Sequence, residues 1–119
     1  MLSNLSIQVR ADLMANTSLL AVLTRREDGI RPLMAEAEDG DSFTTYFLSY
    51  QGFESKDNAA GYQLMIQSWA KDYDTSLAIA DQVTAALSNS ENHYNYLSAE
   101  PKYNEQQEIY TQQIFEIKQ

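Results

Sequence analysis

The chain has 119 residues, enough for one domain with a real core and too few for two. Hydrophobic residues make up 44% and charged residues 21%, the balance of a folded protein and not of a disordered tail. Its 17 acids against 8 bases give a net charge of -9, which repels phosphate backbones and anionic lipid and so disfavours non-specific nucleic-acid or membrane binding.

There is no cysteine, which removes disulfides, thiolate metal sites and thiol nucleophiles and suits a reducing compartment. Met1 to Leu5 lacks the basic start and long apolar stretch of a signal peptide, and no run is long enough to span a bilayer. The expectation is a soluble protein made in the cytoplasm.

In chain order, Ser3 is a predicted helix N-cap. Leu5, Val9 and Leu13 recur at helical spacing with Ile7 and Met14 beside them, leaving Gln8, Arg10 and Asp12 on the wet side. Asn16-Thr17-Ser18 reads as a break with a new cap, then a short helical piece from Leu19 to Leu23, which Gly29 ends. The period then changes to 2. Ile30 to Met34 is a short edge strand, because Pro32 cannot donate a ladder bond in a central one. Glu36 to Asp41 is an acidic loop. Phe43 to Tyr50 is a strand rich in aromatic and β-branched residues, joined through a polar turn region (Gly52 to Gly61) to the next strand as a hairpin.

In that third strand Tyr62, Leu64 and Ile66 share one face, and Met65, Gln67 and Trp69 the other. Asp72 or Asp74 caps the following helix, whose predicted buried stripe is Leu77, Ala80, Val83 and Leu87, with Ile79 and Ala86 at its flanks. Two more strands, about Tyr94 to Ala99 and Ile109 to Ile117, close the chain around a polar loop from Pro101 to Gln107. The predicted class is α+β: a mostly antiparallel sheet of four to five strands on two main helices, in the order α-β-β-β-α-β-β, as one domain over residues 1–119.

Candidate chemistry is sparse. His93 is the only histidine and lacks the partners that zinc or a nucleophile needs. Glu36, Glu38, Asp39 and Asp41 do not follow the alternating oxygen spacing of a helix-loop-helix calcium site, so a solvated charge run is the better reading. With 17 acids, any chosen carboxylate pair is uninformative, and four glycines form no phosphate loop. Trp69 and the eight tyrosines lack interleaved basic residues, so cross-strand packing explains them better than base stacking. The expectation is no enzyme, and no catalytic, cofactor or metal site. Two strands, however, are apolar on both faces: Tyr46, Leu48 and Tyr50 against Phe47, and the last strand from Tyr110 to Ile117. A sheet covered on one side only should alternate more cleanly, which points to another subunit meeting the uncovered side or to a helix crossing it, the subunit contact being the preferred reading.

The chain resembles the small tail-completion (tail terminator-like) proteins of tailed phages and prophages, long described as a domain of unknown function. The resemblance rests on the opening helix with its second piece, on Ile30-Arg31-Pro32 with the aromatic strand Thr44 to Tyr50, on the block Leu64 to Tyr73 continuing to Leu87, and on the strand Tyr110 to Ile117. Its distinctive part is strand-Trp-Ala-X-X-Tyr-helix; Thr44-Thr45 stand where members often carry a proline. The resemblance implies a structural subunit that assembles as a ring, caps the tail tube at its head-proximal end, and works with tail-tube and head-completion proteins. It implies a place in the virion tail, assembled in the bacterial host cytoplasm, with no membrane and no sequence-specific nucleic acid. The candidate interaction surface is Glu36, Glu38, Asp39, Asp41, Tyr46, Tyr50, Tyr110 and Ile114. The alternative is a small acidic binding or regulatory module that docks on a basic protein partner.

Overall fold

The structure, a computed structural model, describes residues 2–24, 26–32, 40–51, 61–90, 92 and 94–118. Helices α1 (Leu2–Met14) and α2 (Thr17–Val22) and a 3-10 turn (Arg26–Gly29) lead into strands β1 (Ile30–Pro32), β2 (Phe43–Gln51) and β3 (Gly61–Ala70). Helix α3 (Tyr73–Ser88) and strands β4 (Asn95–Tyr103) and β5 (Ile109–Lys118) follow. The class is α+β, in the order that the pattern predicts. The sheet runs β1-β2-β3-β5-β4, with β1 parallel to β2 and every other pair antiparallel. β5 therefore enters between β3 and β4, and the edges of the sheet are β1 and β4.

α1 buries Leu5, Val9 and Leu13, its predicted stripe. It already includes Leu2, so Ser3 lies in the first turn and does not cap it. Ile7 is 70% exposed, because two residues from Leu5 is about 200° around a helix. Asn16 caps α2 by accepting the Leu19 amide at 3.1 Å, and α2 sinks Leu19 and Leu20 into the same core.

The β2–β3 hairpin pairs Phe43 with Trp69 through to Gln51 with Gly61. Tyr62, Leu64 and Ile66 of β3 and Phe115 and Ile117 of β5 join the core under the helices, where α1 lies on β2 and α3 on β3 and β5. Asp72, and not Asp74, caps α3: its carboxylate accepts the Thr75 amide at 2.7 Å, which holds its pKa below the ordinary value. The buried face of α3 is Ser76, Ile79, Ala80, Val83, Ala86 and Leu87, while Leu77 is only half-buried. The stripe is thus rotated from its expected centre, because a serine takes a core position that hydropathy assigns to leucine.

Ser76 earns that place through hydrogen bonds. Its hydroxyl donates to the Ser68 carbonyl at 2.8 Å and lies 2.7 Å from Thr111 Oγ1, which then donates to it. One step along β5, Gln113 Nε2 donates to the Ala80 carbonyl at 3.2 Å and to Thr84 Oγ1 at 2.7 Å. These bonds key α3 to the sheet in one register, since sliding the helix would strand buried polar groups. The hydroxyls of Thr44 and Ser68 lie in the same buried layer, and neither has a partner among the described residues.

A second polar tie joins α1 to the segment that leads into β4. Tyr94 donates its hydroxyl proton to Asp12 Oδ2 at 2.6 Å and accepts from Gln8 Nε2 at 3.2 Å, while Asn92 Nδ2 donates to Asp12 Oδ2 at 3.0 Å. Gln8 and Asp12 are therefore half-buried and bonded, not on a free wet side. Burial, then the Asp12 carboxylate, push the Tyr94 hydroxyl well above the ordinary tyrosine range. The polar stretch from Pro101 also differs from expectation: β4 runs on through Tyr103, since an edge strand tolerates a proline. The turn after it is closed by Asn104 Oδ1, which accepts from the amides of Gln106 and Glu108 at 3.0 and 2.9 Å.

Three substitutions test this buried polar layer and the Tyr94 tie. Ser76→Ala lowers the unfolding free energy by about 1–2 kcal/mol in urea titrations, because it removes two buried hydrogen bonds and takes from the Thr111 hydroxyl its Ser76 partner. Ser68→Ala is neutral or stabilising, since it removes a buried hydroxyl that bonds to nothing described. Tyr94→Phe costs about 1–2 kcal/mol at neutral pH. A raised hydroxyl pKa stabilises the fold fully below the unfolded value of 10.0 and is lost as pH rises, so the wild-type advantage over Tyr94→Phe shrinks on alkaline titration.

Candidate assembly surface

Alternation along β3 sends Met65, Gln67 and Trp69 away from the helices. The register sets Phe43, Thr45 and Phe47 of β2 on one side of them and Tyr110, Gln112 and Ile114 of β5 on the other. Among the described residues no helix packs on this face. The nine residues are uncharged; charged side chains on this face, Glu100, Lys102 and Glu116, come from β4 and the far end of β5.

An aromatic row crosses three strands. Trp69 stacks on Phe43 at 5.8 Å between ring centroids and on Tyr110 at 4.4 Å, with interplanar angles of 17° and 30°. The indole N–H donates to Thr45 Oγ1 at 3.3 Å, and that hydroxyl donates to Gln67 Oε1 at 3.3 Å. Thr45 is buried between them although it points to the open side. The row is therefore a rigid, amphipathic platform, the kind of surface that aromatic-rich interfaces use because little rotamer entropy is lost on contact.

The edges are built differently. The chain has only two prolines, Pro32 and Pro101, and they stand in β1 and β4, the two edge strands. A proline offers no amide to an incoming strand, and β4 also carries a register break between Tyr96 and Ser98. Both devices discourage extension of the sheet edge to edge. β4 is otherwise wet along almost its whole length, with Leu97 and Tyr103 exposed.

The eight residues of the expected surface are not one patch. Tyr110 and Ile114 stand on the open face. Asp41 is exposed and pairs with Lys71 at 3.3 Å. Tyr46 leaves the surface: it points to the helix side, is buried, and its hydroxyl lies 3.5 Å from the Ser6 carbonyl. Its partner in register is Ile66, a core residue, and the same alternation that turns Phe47 to the open face buries Tyr46. The backbone of Tyr50 pairs with Tyr62, and its side chain lies outside the described residues, as do Glu36, Glu38, Asp39 and His93. Phe43, Phe47, Met65 and Trp69 belong to the surface but are missing from the expected set; their period-2 spacing was the signal for them.

The described residues also form clefts. One of about 500 Å³ lies where α1, α2 and α3 meet, with Asp12 as its one acidic residue among amides and hydroxyls such as Asn16, Gln82, Asn89 and Ser90. Another, of about 230 Å³, sits beside Trp69 between Lys71, Asp41 and Glu108.

No family model and no curated protein matches the chain. A solved structure does: a chain in the virion of the native gene transfer agent (GTA) particle shares the fold with a TM-score of 0.68, over 92% of this chain and 90% of that one, at 14% identity. At that identity the likeness is one of fold. The α+β arrangement described above is shared with that chain over nearly the full length of both.

Tyr110→Leu removes one stacking partner of Trp69 and costs about 0.5–1.5 kcal/mol in chemical denaturation, with a changed near-ultraviolet signal from the indole. Tyr103→Ser, at a position 77% exposed, changes stability by less than about 0.5 kcal/mol.

Proposed function

We propose that the chain is a structural subunit of a phage or prophage particle, a tail-completion protein (tail terminator or head-tail joining) that assembles as a ring and caps the tail tube. The observation that carries this reading is the fold shared with a GTA virion chain over nearly the full length of both. The Trp-Ala-X-X-Tyr block supports it from the sequence side. Its residues form the end of β3 and the start of α3: Trp69 centres the aromatic row, Ala70 is buried, Asp72 caps the helix and Tyr73 opens it. The protein acts by shape, without a catalytic step or a cofactor. Its partners are copies of itself, the tail-tube protein and head-completion proteins, and its place is the virion tail, assembled in the host cytoplasm.

Native mass spectrometry and negative-stain electron microscopy, with and without a purified phage tail-tube protein, test the reading. Rings are expected, as is a stop to tube growth when the chain is added. A strict monomer that never binds tube protein and leaves tube length unchanged overturns the proposal and favours the acidic docking module.

A further inference from the structure

We propose, as a deepening of the ring reading and resting on it, that the open sheet face of one copy seats the outer surface of α1 and α2 of the next copy. Each chain carries a net charge of -9, so copies repel at long range and any contact between them must keep acids out. Two surfaces meet that need. One is the open face around Trp69. The other is the outside of α1 and α2, where every exposed residue from Ser3 to Thr24 is uncharged, among them Asn4, Ile7, Ala11, Ala21 and Val22.

The charged residues of that segment that the structure describes are turned to internal partners. Arg10 Nε donates to the Ile30 carbonyl at 3.4 Å, and Asp12 is held by Tyr94 and Asn92. Elsewhere exposed acids are frequent: Asp74 and Asp81 stand on α3, and Glu105 and Glu108 in the turn between β4 and β5.

The size of the open face suits a second copy. Four long strands about 4.8 Å apart and about 30 Å long give it about 600 Å² in projection, an uncharged centre on β2, β3 and β5 with Glu100, Lys102 and Glu116 at its rim. Covering that area on each partner buries about 1,200 Å² in total, the lower end of specific protein interfaces. The uncharged outside of the helices and the uncharged centre of the bare sheet lie on opposite layers of the same subunit. A contact between them is heterologous: it repeats head to tail and closes into a ring when each step rotates the next copy. A two-fold contact of open face on open face would use up that surface in a dimer and leave no means of growth. The prolines in β1 and β4 discourage another route, sheet extension through the edges.

Ile7→Glu and Ile114→Glu test the pairing, one charge placed on each surface. Ile7 is 70% exposed and Ile114 is half-buried at the centre of the open face. Self-association is read by sedimentation velocity and light scattering over a concentration series, with Trp69 emission as a local probe. Wild type assembles with a blue-shifted Trp69 signal, and each variant alone loses association by about thirtyfold or more, as loss of a hot-spot contact does. Mixing the two variants restores one contact, because the first keeps its open face and the second its helices, and a 1:1 heterodimer appears. Should Ile114→Glu lower the thermal midpoint, Gln67→Glu replaces it, since a carboxylate still accepts from Thr45. Variants that assemble like wild type, or a mixture that stays monomeric, overturn this pairing while wild-type rings keep the functional reading standing. A wild type that is monomeric at every concentration and ignores tube protein overturns both.

Discussion

Each layer of this protein is set against β3. Ten residues long and central in the sheet, it is paired on both sides along nearly its full length, so its side chains must alternate strictly between two environments. One set, from Tyr62 to Ala70 in steps of two, is covered by the helices. The other set carries Met65, Gln67 and Trp69 to the bare side. A slip of one residue would exchange the core for the platform, and the helices could not then bury what they faced. The aromatic row and the hydrophobic core are thus two consequences of one register.

What prevents the slip is polar, not greasy. Ser76, Thr111 and the Ser68 carbonyl form a bonded set beneath α3, and Gln113 reaches from β5 to the helix backbone one step away. Apolar contacts between a helix and a sheet tolerate small shifts, whereas a buried hydroxyl that loses its partner is penalised at once. The tie from Asp12 and Gln8 to Tyr94 does the same for α1 and the approach to β4. The same tie, with the Arg10 bond to the Ile30 carbonyl, turns charges inward from α1, which leaves the outside of that helix neutral on a strongly acidic molecule.

Legibility in the sequence followed the range of the interactions. The alternation of β3, the hairpin, the edge position of the Pro32 strand, a cap within Asn16 to Ser18 and a cap at Asp72 or Asp74 are all readable, because each depends on residues within a few positions; the structure selects Asn16 and Asp72. The rotated stripe of α3 was not, since Ser76 is a core residue only in the presence of Ser68 and Thr111 from two other strands. Ile7 was misplaced by counting hydrophobic residues without following the 100° step around the helix. For the surface, Tyr110 and Ile114 were found through their apolar character, but Tyr46 was taken with them because an aromatic residue in a strand does not announce which side the helices will cover.

By itself, then, the sequence determined the class of fold, the order of its elements and the two-sidedness of its strands, because side-chain direction along a strand or helix is a local property of the backbone. Only the tertiary structure decided that β5 lies between β3 and β4, that both prolines stand at opposite edges, and that Phe43, Trp69 and Tyr110 form one row. Those facts depend on which strands meet and on which face the helices land. Such choices are made by non-local burial and hydrogen bonding, for which adjacent residues carry no signal.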